Sequence, residues 1–159
     1  MLIILTCNSF LKCGLEKISK DLNKKSNKVV VFDADESLYL FREDLYKGVS
    51  VPNLYTVLAL GTRLNKKDIK NITYFTQYLL EYANYAKLPI KEHVKELTII
   101  ETVIVNAILS GISYFEMETM FNISNKSISR HKRSALVKLK SKTVQELHKL
   151  SVLWRNISH

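Results

Sequence analysis

With 159 residues and 18.4 kDa, the chain has room for one domain or two small ones. Hydrophobic residues make up 47% and charged residues 25%, which excludes a disordered chain, and no apolar run approaches the length of a transmembrane helix. A formal charge of +9 and a pI of about 9.5 select an acidic partner, nucleic acid before an anionic membrane surface.

The start, M-L-I-I-L-T-C, reads as a buried strand from Leu2 to Thr6: a short apolar run bounded by polar residues. It is too short for a secretory signal and lacks basic residues ahead of it. Ile4, Leu5 and Thr6 before Cys7 do not suit a lipoprotein cleavage site either, so a cytoplasmic protein is expected. Cys7 and Cys13 are the only cysteines and are read as two buried thiols in a reducing compartment, without zinc or a disulfide. Asn8 or Ser9 can cap a helix whose stripe is Phe10, Leu11, Leu15, Ile18 and Leu22. After the polar segment D-L-N-K-K-S-N-K comes a second apolar run, Val29 to Phe32. A third, Leu54 to Leu60, follows Pro52-Asn53 and ends at Gly61, and Ile72 to Phe75 is a fourth.

Continuous rather than alternating runs suit strands covered on both faces, so residues 1–86 are expected to form an α/β domain with a mostly parallel sheet. Tyr74, Tyr78, Tyr82 and Tyr85 share one stripe if their segment is helical. Such a stripe is either core or a dimerisation surface, since tyrosine joins a large apolar area to a polar tip. Residues 87–96, polar and broken by Pro89, are read as a linker.

The most informative stretch is S-Y-F-E-M-E-T-M-F-N-I-S-N-K-S-I-S-R-H-K-R-S-A-L-V-K-L, from Ser113 to Leu139. Ser113 and Glu116 form a capping box that starts a helix with Met117, Met120 and Phe121 on its apolar side. Asn122-Ile123 breaks that helix, and Ser124 caps the next. Two helices joined by so short a turn make a helix-turn-helix, with a recognition helix at about 125–139. On that helix Ile128, His131, Ala135 and Leu139 recur at inward spacing, while Lys126, Ser129, Arg130 and Arg133 share the outward face. Between Glu118 and Glu146 the chain carries Lys126, Arg130, Lys132, Arg133, Lys138, Lys140 and Lys142 and no acidic residue, the footprint of a polyanion binder. From Thr143 onward, Val144, Leu147, Leu150, Val152, Leu153 and Trp154 outline an amphipathic final helix.

From Leu97 to Leu139 the chain resembles, without a gap, the LuxR/GerE-type (NarL/FixJ-like) DNA-binding domain. The matching residues are Leu97-Thr98, Glu101, Gly111, Ser113, Glu116, Ile123-Ser124, Ser127-Ile128, His131 and Lys138-Leu139. The resemblance implies that residues 97–159 form an all-α four-helix domain acting as a dimer in transcription regulation. It places Ser129, Arg130 and Arg133 at base edges and Lys126 and Ser127 at phosphates; Lys132, from its charge beside them, is expected to add a phosphate contact. It implies double-stranded promoter or operator DNA as the partner and the last helix, through Leu147, Leu150, Leu153 or Trp154, as a dimer contact. The dimer is a homodimer or a heterodimer with another LuxR-type regulator, RNA polymerase is a further partner, and no cofactor, metal or enzymatic activity is expected. An auxiliary protein that pairs with another regulator without binding DNA is the alternative. Glu118 departs from the family, which carries a small residue there. A carboxylate has to swing outward or find a partner, because burying it alone costs on the order of several kcal/mol.

The order of elements ahead of this region is similar to a truncated response-regulator receiver. Asp33 lies where a phospho-acceptor would, but Thr6-Cys7-Asn8 stands where an acidic pair would gather Mg²⁺, and no lysine is evident at the end of a last strand. A pseudo-receiver working without phosphorylation is expected, with Asp33, Asp35 and Glu36 as loop or helix-cap residues.

Overall fold

The computed structural model describes residues 2–6, 8–21, 27–42, 44, 53–69, 71–84 and 95–155. Cys7, Leu22, Tyr85 and most of the expected linker lie outside the described residues. Strand β1 (Leu2–Leu5) runs parallel to β2 (Val29–Ala34), with Leu2 opposite Val29 and Leu5 opposite Phe32. Helix α1 (Ser9–Asp21) makes the crossover that a parallel pair requires. A two-residue turn then reverses the chain into β3 (Ser37–Arg42), antiparallel to β2, with Ala34 opposite Ser37. Asp35 takes φ +58° in that turn, a left-handed conformation that aspartate tolerates better than most residues. Helix α2 (Leu54–Leu60) leads into β4 (Thr62–Asn65), antiparallel to β3, and the strand order is β1-β2-β3-β4. Helices α3 (Ile72–Asn84), α4 (Ile99–Leu109), α5 (Tyr114–Phe121), α6 (Asn125–Lys138) and α7 (Val144–Arg155) complete the described chain.

This overturns the expected mostly parallel, receiver-like sheet: one pair is parallel and the other two are antiparallel. Two of the four continuous apolar runs did report strands, β1 and β2, and β2 is buried at five of its six positions. Burial on both faces carries no information about strand direction. The runs at 54–60 and 72–75, expected as strands, are helical. The Asn53 side chain accepts the Thr56 amide at 2.9 Å, and the Asn71 side chain accepts the Tyr74 amide at 2.8 Å, so each run is nucleated by a cap. Strands β3 and β4 were not anticipated. Gly61, between α2 and β4, allows a close approach: a Cβ there would lie 2.2 Å from the Phe41 ring.

One face of the sheet, with Val29, Val31, Leu38 and Leu40, is covered by α1 and α3 through Leu15, Ile18, Phe75 and Leu79. The other face, with Phe32, Ala34, Tyr39 and Phe41, is covered by α2, the end of α6 and α7. Its cluster draws residues from both sides of residue 97, so the sheet and the last two helices share one core. Phe32 meets Phe41 edge-on at 5.0 Å and Trp154 at 6.3 Å.

This packing takes up part of the expected dimer surface. Leu147, Leu150 and Leu153 are buried against the sheet of their own chain, Leu150 completely, and Trp154 is half-buried beside Phe32. Tyr82 is buried, its hydroxyl donating to the Leu40 carbonyl at 3.0 Å, and stacks on the half-buried Tyr78 at 6.4 Å. Tyr74 remains 49% exposed. Cys13, expected inside, is exposed on α1.

Candidate nucleic-acid interface

The helix-turn-helix is built from three caps. Thr98 starts α4: its hydroxyl accepts the Glu101 amide at 3.3 Å while the Glu101 carboxylate accepts the Thr98 amide at 2.7 Å. Ser113 and Glu116 repeat the box at the start of α5, with the Ser113 amide donating to Glu116 at 2.8 Å. Asn122 ends α5 in the left-handed region at φ +52°, and Ser124 caps α6 by accepting the Ser127 amide. Only three residues, 122–124, therefore separate the two helices. Gly111, at φ +80°, turns the chain out of α4, a conformation without penalty only for glycine.

Ile104 and Ala107 of α4, Met117 of α5 and Ile128 of α6 form the small core that fixes the angle between the helices. Met120, expected in the inward stripe, is instead 63% exposed. Ile99, Ile100, Val103 and the half-buried Phe121 leave an apolar surface at the start of α4 and the end of α5, where a shallow hollow of about 580 Å³ lies over α4. The end of α6 is tied to α4 by charge. Glu101 is buried and accepts from Lys138 at 2.7 Å and from Ser134 at 2.6 Å. Burial by itself would raise the Glu101 pKa, but the bonds from Lys138, Ser134 and Thr98 outweigh it and hold the carboxyl at about 2.

On the outer side of α6, Lys126, Arg130 and Arg133 are exposed and Ser129 is half-buried among them. Among the described residues no carboxylate pairs with these three cations. The Arg133 Nε donates along its own helix to the Ser129 carbonyl at 3.4 Å. Exposed Val137 continues this row at helical spacing, a residue not singled out in the sequence because only its packing separates it from the core stripe. Ser127 lies at the first turn, within 3.3 Å of the Ser124 hydroxyl. Lys132 leans back over the Tyr114 ring of α5 at 5.3 Å and is set apart from the row of Lys126, Arg130 and Arg133.

Two of the seven cations in the acid-free interval are used inside the protein. Lys138 is paired with Glu101, and Lys140 donates to the Gly61 carbonyl at 2.6 Å. Compensation came from residues distant in sequence, which a local charge count does not register.

Glu118 has turned outward. Its Oε1 accepts the amide of Asn125, the first residue of α6, at 2.5 Å. Asp33, expected in a loop or cap, sits within β2, buried, with Oδ1 2.6 Å from Lys66 Nζ and Oδ2 accepting from the Thr6 hydroxyl at 2.6 Å. Lys66 directly follows β4, a strand antiparallel to β3. Asp35 and Glu36 are exposed at the hairpin turn, where Asp35 pairs with Lys149 of α7. No cluster of three His, Cys, Asp or Glu side chains able to hold a metal occurs among the described residues, nor does any described helix have the length and apolarity to cross a membrane.

No protein-family model matches this chain, and neither a curated protein nor a solved structure does so.

Proposed function

We propose that the chain is a double-stranded DNA-binding protein of transcription regulation that docks α6 in the major groove. The observation that carries this reading is the row Lys126, Arg130 and Arg133, three cations without a carboxylate partner among the described residues, on a helix held by a three-residue turn against α5. An exposed cation that satisfies no internal charge contributes to binding a polyanion, and arginine can pair both acceptors of a guanine edge. The resemblance of residues 97–139 to LuxR/GerE-type domains supports the same reading, as does the charge of +9. Lys126 and Ser127 at the first turn of α6 contact phosphates, and Ser129, Arg130 and Arg133 read bases. Lys132, drawn onto Tyr114, makes at most a flanking phosphate contact. Such a protein works in the cytoplasm on promoter DNA.

The test is a gel-shift against a library of random duplexes, with the bound fraction recovered and sequenced. Enrichment of a common site, weakened by salt, is the expected result. Absence of any salt-sensitive binding, or binding unchanged when Lys126, Arg130 and Arg133 are all replaced by alanine, would overturn the reading.

A further inference from the structure

We propose that Glu118 limits the DNA affinity of this surface by holding a negative charge at the phosphate-facing end of α6. The proposal rests on the DNA-binding reading above and adds a residue that works against binding. The Glu118 side chain reaches from α5 to the first amide of α6, 2.5 Å from the Asn125 nitrogen. Lys126 follows immediately, and Ser127 one residue later. The other two carboxylates of the helix-turn-helix are committed elsewhere. Glu101 is buried under Lys138 and Ser134, and Glu116 closes the cap of α5. Glu118 is thus the acidic group of α4 to α6 that shares an end with the cationic row.

Two effects follow from that position. The carboxylate neutralises the partial positive charge of the helix end and occupies the Asn125 amide. It also repels any phosphate drawn to Lys126. At a separation of several ångström through water, one such charge changes affinity roughly 3- to 10-fold, and salt screens the change. Because phosphates carry no sequence information, the penalty falls equally on specific and random DNA.

Glu118→Gln is the informative substitution, since the amide oxygen still accepts from Asn125 while the charge is lost. The full chain carrying it is expected to bind duplex DNA roughly 3- to 10-fold tighter than the parent at about 50 mM salt, by the same factor on selected and random sequences. The difference is expected to shrink at about 300 mM. Glu16→Gln is the charge-matched control. Glu16 is exposed on α1, which covers the sheet face opposite the one that α6 and α7 cover, and its loss is expected to leave affinity unchanged.

Parent protein that binds DNA while Glu118→Gln binds equally or more weakly would overturn the proposal and leave the DNA reading intact. An equal gain from Glu16→Gln would assign the effect to bulk charge and overturn it too. If neither parent nor Glu118→Gln binds, the DNA reading itself falls. Glu118→Ala, judged folded by its melting transition, gives the same comparison if the glutamine variant unfolds.

Discussion

At the scale of single residues, the outer row of α6 separates into roles that substitution can distinguish. Arg130 is exposed, whereas Arg133 is partly spent on its own helix through Ser129. Arg130→Ala is therefore expected to cost about 1–3 kcal/mol of binding and to relax preference at one base position, with Arg133→Ala at the lower end of that range. Competition with single-base variants of a selected site checks this. Equal weakening on all sequences would reassign either residue to phosphate.

Glu101 carries the clearest pH dependence. Its carboxyl, held at about 2 in the folded chain against an ordinary 4.5, contributes stability that is fully present above about pH 4.5. That contribution is lost as pH falls toward 2, because protonation breaks the bonds to Lys138 and Thr98. Glu101→Gln is expected to destabilise by roughly 1–3 kcal/mol at neutral pH and to flatten the acid limb of the stability curve. Denaturant melts at pH 7, 4 and 2.5 measure both, and an unchanged acid limb would remove Glu101 from the account. Glu146 is shifted in the same direction, burial opposing the bonds from the Lys142 amide and from Arg63, so some acid sensitivity remains in the variant.

At the scale of elements, α7 is the piece whose assignment changed most. Its apolar stripe was legible, but a stripe says only that a helix face is covered, not by what. The cover is the sheet, and polar contacts secure it. Glu146 pairs with Arg63 of β4 at 3.1 Å, and the Tyr39 hydroxyl donates to the Lys140 carbonyl at 3.0 Å. Burial pushes the Tyr39 hydroxyl up to about 12, with Glu146 adding to the shift, so this donor keeps its proton throughout the physiological range. Leu150→Ala is expected to cost about 2–5 kcal/mol of folding stability, as for other fully buried leucines. The loss should be the same at low and high protein concentration, because the contact is internal. Urea melts across a hundredfold range of concentration decide this. A loss that shrinks with concentration would return Leu150 to a contact between copies.

At the scale of the whole molecule, the chain is strongly basic, but part of its charge is structural. Lys138, Lys140, Lys149, Arg63 and Lys66 are all engaged with internal acceptors. The set left for the proposed DNA contact is correspondingly small, and the salt response should be set by it rather than by +9. With Lys126 and at most Lys132 neutralising phosphates, about one to two per chain, the slope of log affinity against log salt is expected at roughly −0.9 to −1.8 for one bound copy and about twice that for two. Lys126→Ala should reduce the slope by about 1 per bound copy while leaving base preference alone. Binding titrations at four salt concentrations read the slope. A value tracking the full net charge would mean that the surface outside α6 dominates.

Local chemistry was legible in the sequence wherever it closes within a few residues. The caps at Ser113 and Ser124, the break at Asn122 and the row Lys126, Arg130 and Arg133 follow from hydrogen bonds and spacings that span one or two helical turns. The same reasoning found β1 and β2 from their apolar runs but failed at 54–60, where an equally apolar segment is helical because Asn53 caps it. Tertiary structure alone decided what each apolar face meets and which charges are spent. The sheet took up Leu147, Leu150 and Leu153, Glu101 took up Lys138 from 37 residues away, and Lys66 reached Asp33 across 33. Apolar attraction is non-directional, and an ion pair depends on distance in space rather than along the chain, so neither leaves its partner's name in the local pattern.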